Sequence, residues 1–261
     1  MKQLVFNGKC LENIVQRTEN IVIQRTQEGR SRKKCYIIGN GHSLSVDENN
    51  VVKKHDPFMH KFEPQVNEDV TVYVFYFTFE CLGLYESGKD IAEFVNNLTE
   101  DYDQIVLIGH SKCGLCLYSA DLCIPNITLV TISTPFEGTV VADKKTVHKM
   151  LKLWVLRKIY DIGFSDHNVD RDIMPASIFI QNTLKPHYQN HINITSSLKS
   201  LRDCRDIMDV LLLIVDRIMK IDGDGIVPIK SQNVKSTKTI HIKTSHSNSL
   251  KIGLGIVEKN L

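Results

Sequence analysis

Short apolar runs closed by turn residues alternate with stretches of helical period along most of this chain. The run at 34–38 (KCYII) stops at Gly39-Asn40-Gly41, as a strand ending in a tight turn does. Residues 70–79 (VTVYVFYFTF) are dense in β-branched and aromatic side chains and predict a second strand. Over 87–98 the residues Ile91, Phe94, Val95 and Leu98 fall on one stripe, which predicts a helix with Ser87 as its cap. The run 104–108 (QIVLI) has no polar face in its last four residues, the pattern of a parallel strand covered on both sides. Residues 127–133 (ITLVTIS) and 239–244 (TIHIKT) predict two more strands. Such alternation builds βαβ units. The expected class is therefore α/β, a mostly parallel central sheet flanked by helices.

The rhythm breaks over 136–190, a stretch without a clear strand. We read it as a helical lid or cap inserted into a single domain spanning 1–261. Within it, 144–154 projects Val147, Met150, Leu151 and Trp154 onto one side and Lys145, His148, Lys149 and Lys152 onto the other. Two readings compete just beyond the insertion. Either 192–196 is a strand and 201–220 a helix, or 210–215 is the strand. The spacing of Ile207, Leu211, Ile214 and Ile218 favours the helix.

Composition narrows the function. Apolar residues make up 42% of the 261 and charged residues 24%, values that exclude global disorder. The net charge of +2 leaves no overall electrostatic footprint for nucleic acid or an anionic membrane. Apolar runs are far shorter than the roughly 20 residues a spanning helix needs, so no transmembrane segment is expected. The first residues carry no continuous apolar core of a signal peptide. Seven scattered cysteines, an odd number, suggest reduced thiols and a cytoplasmic location.

The decisive segment is 105–114 (IVLIGHSKCG), a buried strand running into Gly109-His110-Ser111-Lys112-Cys113-Gly114 with a helical pattern behind it. This is the strand–turn–helix context of a nucleophile elbow. The turn presses the residues two before and two after the serine together, so both must be small. Gly109 meets that need, and Cys113 stands at the other position. A serine nucleophile needs an imidazole to take its proton and a carboxylate to hold the imidazole's tautomer. Downstream come DGDGIVP at 222–228 and His246 directly after the last strand, so Ser111, Asp224 and His246 follow in the order serine, acid, histidine. Asp222 is the competing acid, since Asp-Gly pairs also suit plain turns.

These stretches, with ISTPFEGT at 132–139, DIMPASIFIQNTL at 172–184 and SHSNSL at 245–250, resemble the motifs of α/β-hydrolases of the lipase and serine-esterase type. The resemblance implies Ser111 as nucleophile, Asp224 as orienting acid and His246 as general base. It implies oxyanion donors in the backbone N–H groups of Lys112 and of Gly41 or His42, although Gly39-Asn40-Gly41 departs from the family's usual His-Gly. The expected activity is hydrolysis of carboxylic esters, with lipid esters as the expected class, needing no cofactor or metal. The alternatives are an acyltransferase or glycolipid deacylase on the same fold, or a catalytically silent binding protein. The partner expected is a small-molecule or lipid ester, with no nucleic acid; the oligomeric state is not encoded in these motifs. Cys113-Gly-Leu-Cys116 also matches a redox C-x-x-C pattern. It lacks a second close pair for zinc, and helical spacing makes Cys116 and Cys123 core residues instead.

Overall fold

The computed structural model describes residues 9–31, 33–41, 44–54, 66–150, 168–182 and 188–261. Its sheet is built from β1 (Lys9–Cys10), β2 (Ile14–Arg17), β3 (Ile21–Gln27), β4 (Lys34–Gly39), β5 (Leu44–Val46) and β6 (Val51–Lys54), followed by β7 (Thr71–Thr78), β8 (Gln104–His110), β9 (Ile127–Ile132), β10 (Asn190–Ser197) and β11 (Lys238–Lys243). The main path runs β1-β6-β5-β7-β4-β8-β9-β10-β11, with β3 also on β7 and β2 on β3. From β5 to β11 every pairing on that path is parallel.

The strand order reverses at β4. The chain leaves β4 for β7 on one side and then returns to place β8 on the other. A crevice opens at the carboxyl ends of strands where such a reversal occurs, and ligands of open α/β sheets bind there. Gly39-Asn40-Gly41 and Ser111 stand at that edge.

Alternation within the parallel strands covers both faces of the sheet. Ile37, Phe75, Ile105, Leu107 and Leu129 turn to one face, under helices α1 (Leu84–Leu98) and α2 (Lys112–Ser119). Ile38, Val74, Val106, Ile108 and Val130 turn to the other, packing in one cluster with Leu250, Leu254 and Val257 of the helix His246–Asn260. That last helix carries Gly253 where it crosses the sheet: a Cβ there would lie 2.6 Å from Ile132 Cδ1. The helix was not predicted, because two glycines interrupt its apolar stripe. The strands before residue 55, other than β4, were not predicted either. β1, β2, β5 and β6 are at most four residues long, and the apolar run of β3 is only Ile21–Ile23 before polar residues take over.

Ser87 is not the cap of α1. The helix begins one turn earlier, at Leu84, whose N–H donates to the Asp172 carboxylate at 2.7 Å, while Ser87 Oγ donates to Gly83 O. Residues 207–219 are helical and 190–197 are a strand, which resolves the ambiguity before β11 in favour of the helix. Among the described residues no helix is long and apolar enough to cross a membrane.

Candidate active site

Strand β8 ends at His110, and Ser111 turns the chain into α2 with φ 55° and ψ −129°. A left-handed φ at a residue bearing a side chain is strained and persists only where its surroundings enforce it. Here they do so from three sides. The Ser111 N–H donates to Ile132 O at 2.9 Å, at the end of β9. Gly109 lies so close to the start of α2 that a Cβ would come within 2.5 Å of Gly114 Cα. Gly114 lies under Thr134, whose Oγ1 a Cβ would meet at 1.9 Å. The partner of Gly109 across the turn is thus Gly114, not the side chain at 113. Cys113 instead points into the core beside Phe75, and room for it comes from Gly39, where a Cβ would lie 2.6 Å from Cys113 Cβ.

Lys112 opens α2, and the first N–H groups of a helix have no acceptor within it. Gly41 packs directly on the turn: a Cβ there would stand 2.1 Å from His110 O and 2.5 Å from Ser111 Cβ. His42, the alternative donor, lies outside the described residues.

Asp224 and His246 are both buried and meet. His246 Nδ1–H donates to Asp224 Oδ2 at 2.8 Å, and the His246 backbone N–H donates to Asp224 O at 2.9 Å. The other carboxylate oxygen, Oδ1, accepts from Val227 N at 2.8 Å and Ile226 N at 3.1 Å. Asp222 goes elsewhere. Its side chain is 78% exposed and its nearest cation is Lys199 at 3.7 Å.

His246 is seated beside the serine turn through His110. The two imidazole rings are 4.6 Å apart between centroids, and His110 Nε2–H donates to His246 O at 3.0 Å, where Ser249 Oγ also donates. His110, Ser249 and the Lys112 side chain escape a sequence reading. Lys112 Nζ is buried and donates to Asp170 Oδ1 at 2.7 Å. The only signal for such residues is a polar side chain inside an otherwise apolar run.

Among the described residues the Cys113–Cys116 pair does not have the surroundings of a reactive redox pair. Cys113 and Cys116 are buried with free thiols, and burial pushes both well above the usual thiol range. Cys123 is exposed rather than in the core. It follows the end of α2 in a loop, where helical spacing no longer applies.

No family model and no curated protein matches the chain by sequence. Solved structures do resemble it. The mature form of the Bacillus licheniformis lipase BlEst2 matches with a TM-score of 0.60 at 11% identity, covering 90% of this chain and 95% of that one. The metagenomic carboxyl esterase MGS0156 matches with a TM-score of 0.52 at 13% identity, covering 90% of this chain and 78% of that one. The chain has the α/β-hydrolase fold. At such identities the likeness is one of fold, and the chemistry of this chain has to be argued from its own residues.

Proposed function

We propose that the chain is a serine hydrolase of carboxylic esters, with Ser111 as nucleophile, His246 as general base and Asp224 as the residue that fixes the base's tautomer. The observation that carries this reading is the buried Asp224–His246 hydrogen bond of 2.8 Å beside a serine held at a left-handed φ of 55°. An imidazole that donates Nδ1–H to a carboxylate keeps Nε2 free of its proton, ready to receive one from a serine hydroxyl. Attack by Ser111 Oγ on the ester carbonyl then gives a tetrahedral oxyanion. The backbone N–H groups of Lys112 and Gly41 stabilise it. His246 passes the proton to the leaving alcohol, and water releases the acid from the acyl-enzyme by the same steps in reverse.

Lipid esters are the substrate class proposed, and the cytoplasm the location; the free described thiols support the latter. The segment 136–190 is proposed as a cap over the crevice. Its described front end, the helix Lys144–Met150, packs Val147 in one apolar cluster with Met219, Ile221, Ile226 and Val227, while Met150 is exposed. Leu151, Lys152 and Trp154 lie outside the described residues.

A fluorophosphonate probe tests the core of the proposal. It should label the native chain and fail to label Ser111→Ala. A chain-length series of p-nitrophenyl esters then reads the acyl preference. A native chain that neither takes the probe nor turns over any ester is a silent member of the fold.

A further inference from the structure

Two further side chains donate to Asp224 Oδ2, neither required by the hydrolase mechanism: Ser196 closely and Gln232 Nε2 more weakly, at 3.4 Å. Ser196 Oγ donates to Oδ2 at 2.7 Å, the same oxygen that accepts from His246 Nδ1 at 2.8 Å. Ser196 is fully buried in β10, and its backbone is clamped by a side chain from outside the strand. Gln232, also fully buried, uses both ends of its amide on the Ser196 backbone: Oε1 accepts from Ser196 N at 2.6 Å and Nε2 donates to Ser196 O at 3.0 Å. The same Nε2 donates to Val227 O at 3.0 Å, tying the acid loop to the end of β10. Ser133 Oγ, just past β9, bonds to Ser196 Oγ. Asp224 accepts through Ser196 and so leaves Ser133 as the donor to the Ser196 oxygen. A chain of two hydroxyls therefore ends on the oxygen that the base uses.

We infer that Ser196 is a positioning residue that tunes the basicity of His246 by sharing Asp224 Oδ2 with it, with Gln232 holding the backbone that carries the hydroxyl. The inference rests on Asp224 and His246 being the acid and base of the proposed mechanism. Its physics is a competition for one acceptor. A donor on Oδ2 compensates part of the carboxylate charge, so the oxygen holds the imidazolium less strongly. Taking that donor away leaves Oδ2 a stronger partner for the protonated ring, because Oδ1 stays pinned by Ile226 N and Val227 N. The protonated form of His246 is then favoured, and the base holds its proton to higher pH. The other titratable groups around the pair are unchanged by the substitution. They are His110 against the His246 ring, Asp216 near the acid loop and Asp209, which accepts from Ser245 Oγ beside the base.

The test compares Ser196→Ala, Ser196→Thr and Ser196→Val with the native chain in two readouts. The first is the acid limb of kcat/KM against pH. The second is the titration of the assigned His246 ring by NMR in a Ser111→Ala background, which needs no turnover. In Ser196→Ala both should move up by about half to one pH unit, the scale of one charge-assisted hydrogen bond redistributed. Threonine keeps the hydroxyl and should return both toward native values, whereas valine, of the same shape without it, should follow alanine. An unmoved or lowered NMR titration in Ser196→Ala overturns the inference, as does a valine variant indistinguishable from the threonine one. If the native chain hydrolyses no ester yet the NMR titration moves up as stated, the catalytic reading falls and the tuning of the ring stands.

Discussion

The clearest test of the site separates two aspartates that stand two residues apart. In Asp224→Asn, the amide oxygen has to occupy the Oδ1 position, because Ile226 N at 3.1 Å and Val227 N at 2.8 Å both need an acceptor there. The new NH2 then takes the place of Oδ2, facing His246 Nδ1 at 2.8 Å. Two donors cannot face each other, so the imidazole must move its proton to Nε2 and accept through Nδ1. That tautomer cannot receive the serine proton. A wrong tautomer in an otherwise intact serine triad costs about 10⁴ in turnover, or about 5.5 kcal/mol at 1.36 kcal/mol per decade. Asp222→Asn removes only an ion pair with Lys199 at 3.7 Å from a side chain that is 78% exposed. Such pairs contribute about 0–1 kcal/mol to stability, so turnover should stay within about twofold. The assay is kcat/KM on a short-chain p-nitrophenyl ester, with thermal melts to show that both variants are folded. A folded Asp224→Asn within tenfold of native, or an Asp222→Asn that loses as much, would refute the reasoning.

Ser111→Ala and His246→Ala should each abolish nearly all esterase activity, and the double variant should be no worse than either, since the two act as a unit; additive losses would separate their roles. The buried Lys112–Asp170 pair should behave asymmetrically in urea denaturation: either single apolar substitution leaves a buried charge and costs about 3–5 kcal/mol, whereas Lys112→Met with Asp170→Leu is near neutral. Burial lowers His191 to about 4, below the usual 6.5, so the unfolded chain binds its proton first. Its contribution is fully present above pH 6.5 and is lost as pH falls toward about 4, by about 3 kcal/mol in all; His191→Gln should flatten that part of the stability curve, and an unchanged slope would refute the assignment. Iodoacetamide at pH 8 should modify Cys123 in the folded chain and reach Cys113 and Cys116 only on unfolding, because burial keeps both as thiols.

Much of this protein was legible without coordinates because its information is local. A parallel strand covered on both faces shows as an unbroken apolar run, and an amphipathic helix shows as a stripe. These periods located β4, β7, β8, β9 and β11 and the helix over Ile91, Phe94 and Val95. The order of Ser111, Asp224 and His246 along the chain was equally visible, as motifs are runs of adjacent residues. Tertiary structure alone decided why Cys113 fits opposite Gly39 and that Gly109 closes on Gly114. It alone brought Ser196 to Asp224 across 28 residues and Lys112 to Asp170 across 58. Such contacts have no period in the sequence. They arise from how strands of one sheet are ordered and where their ends meet, and a polar side chain bears no local mark of the partner that folding will supply.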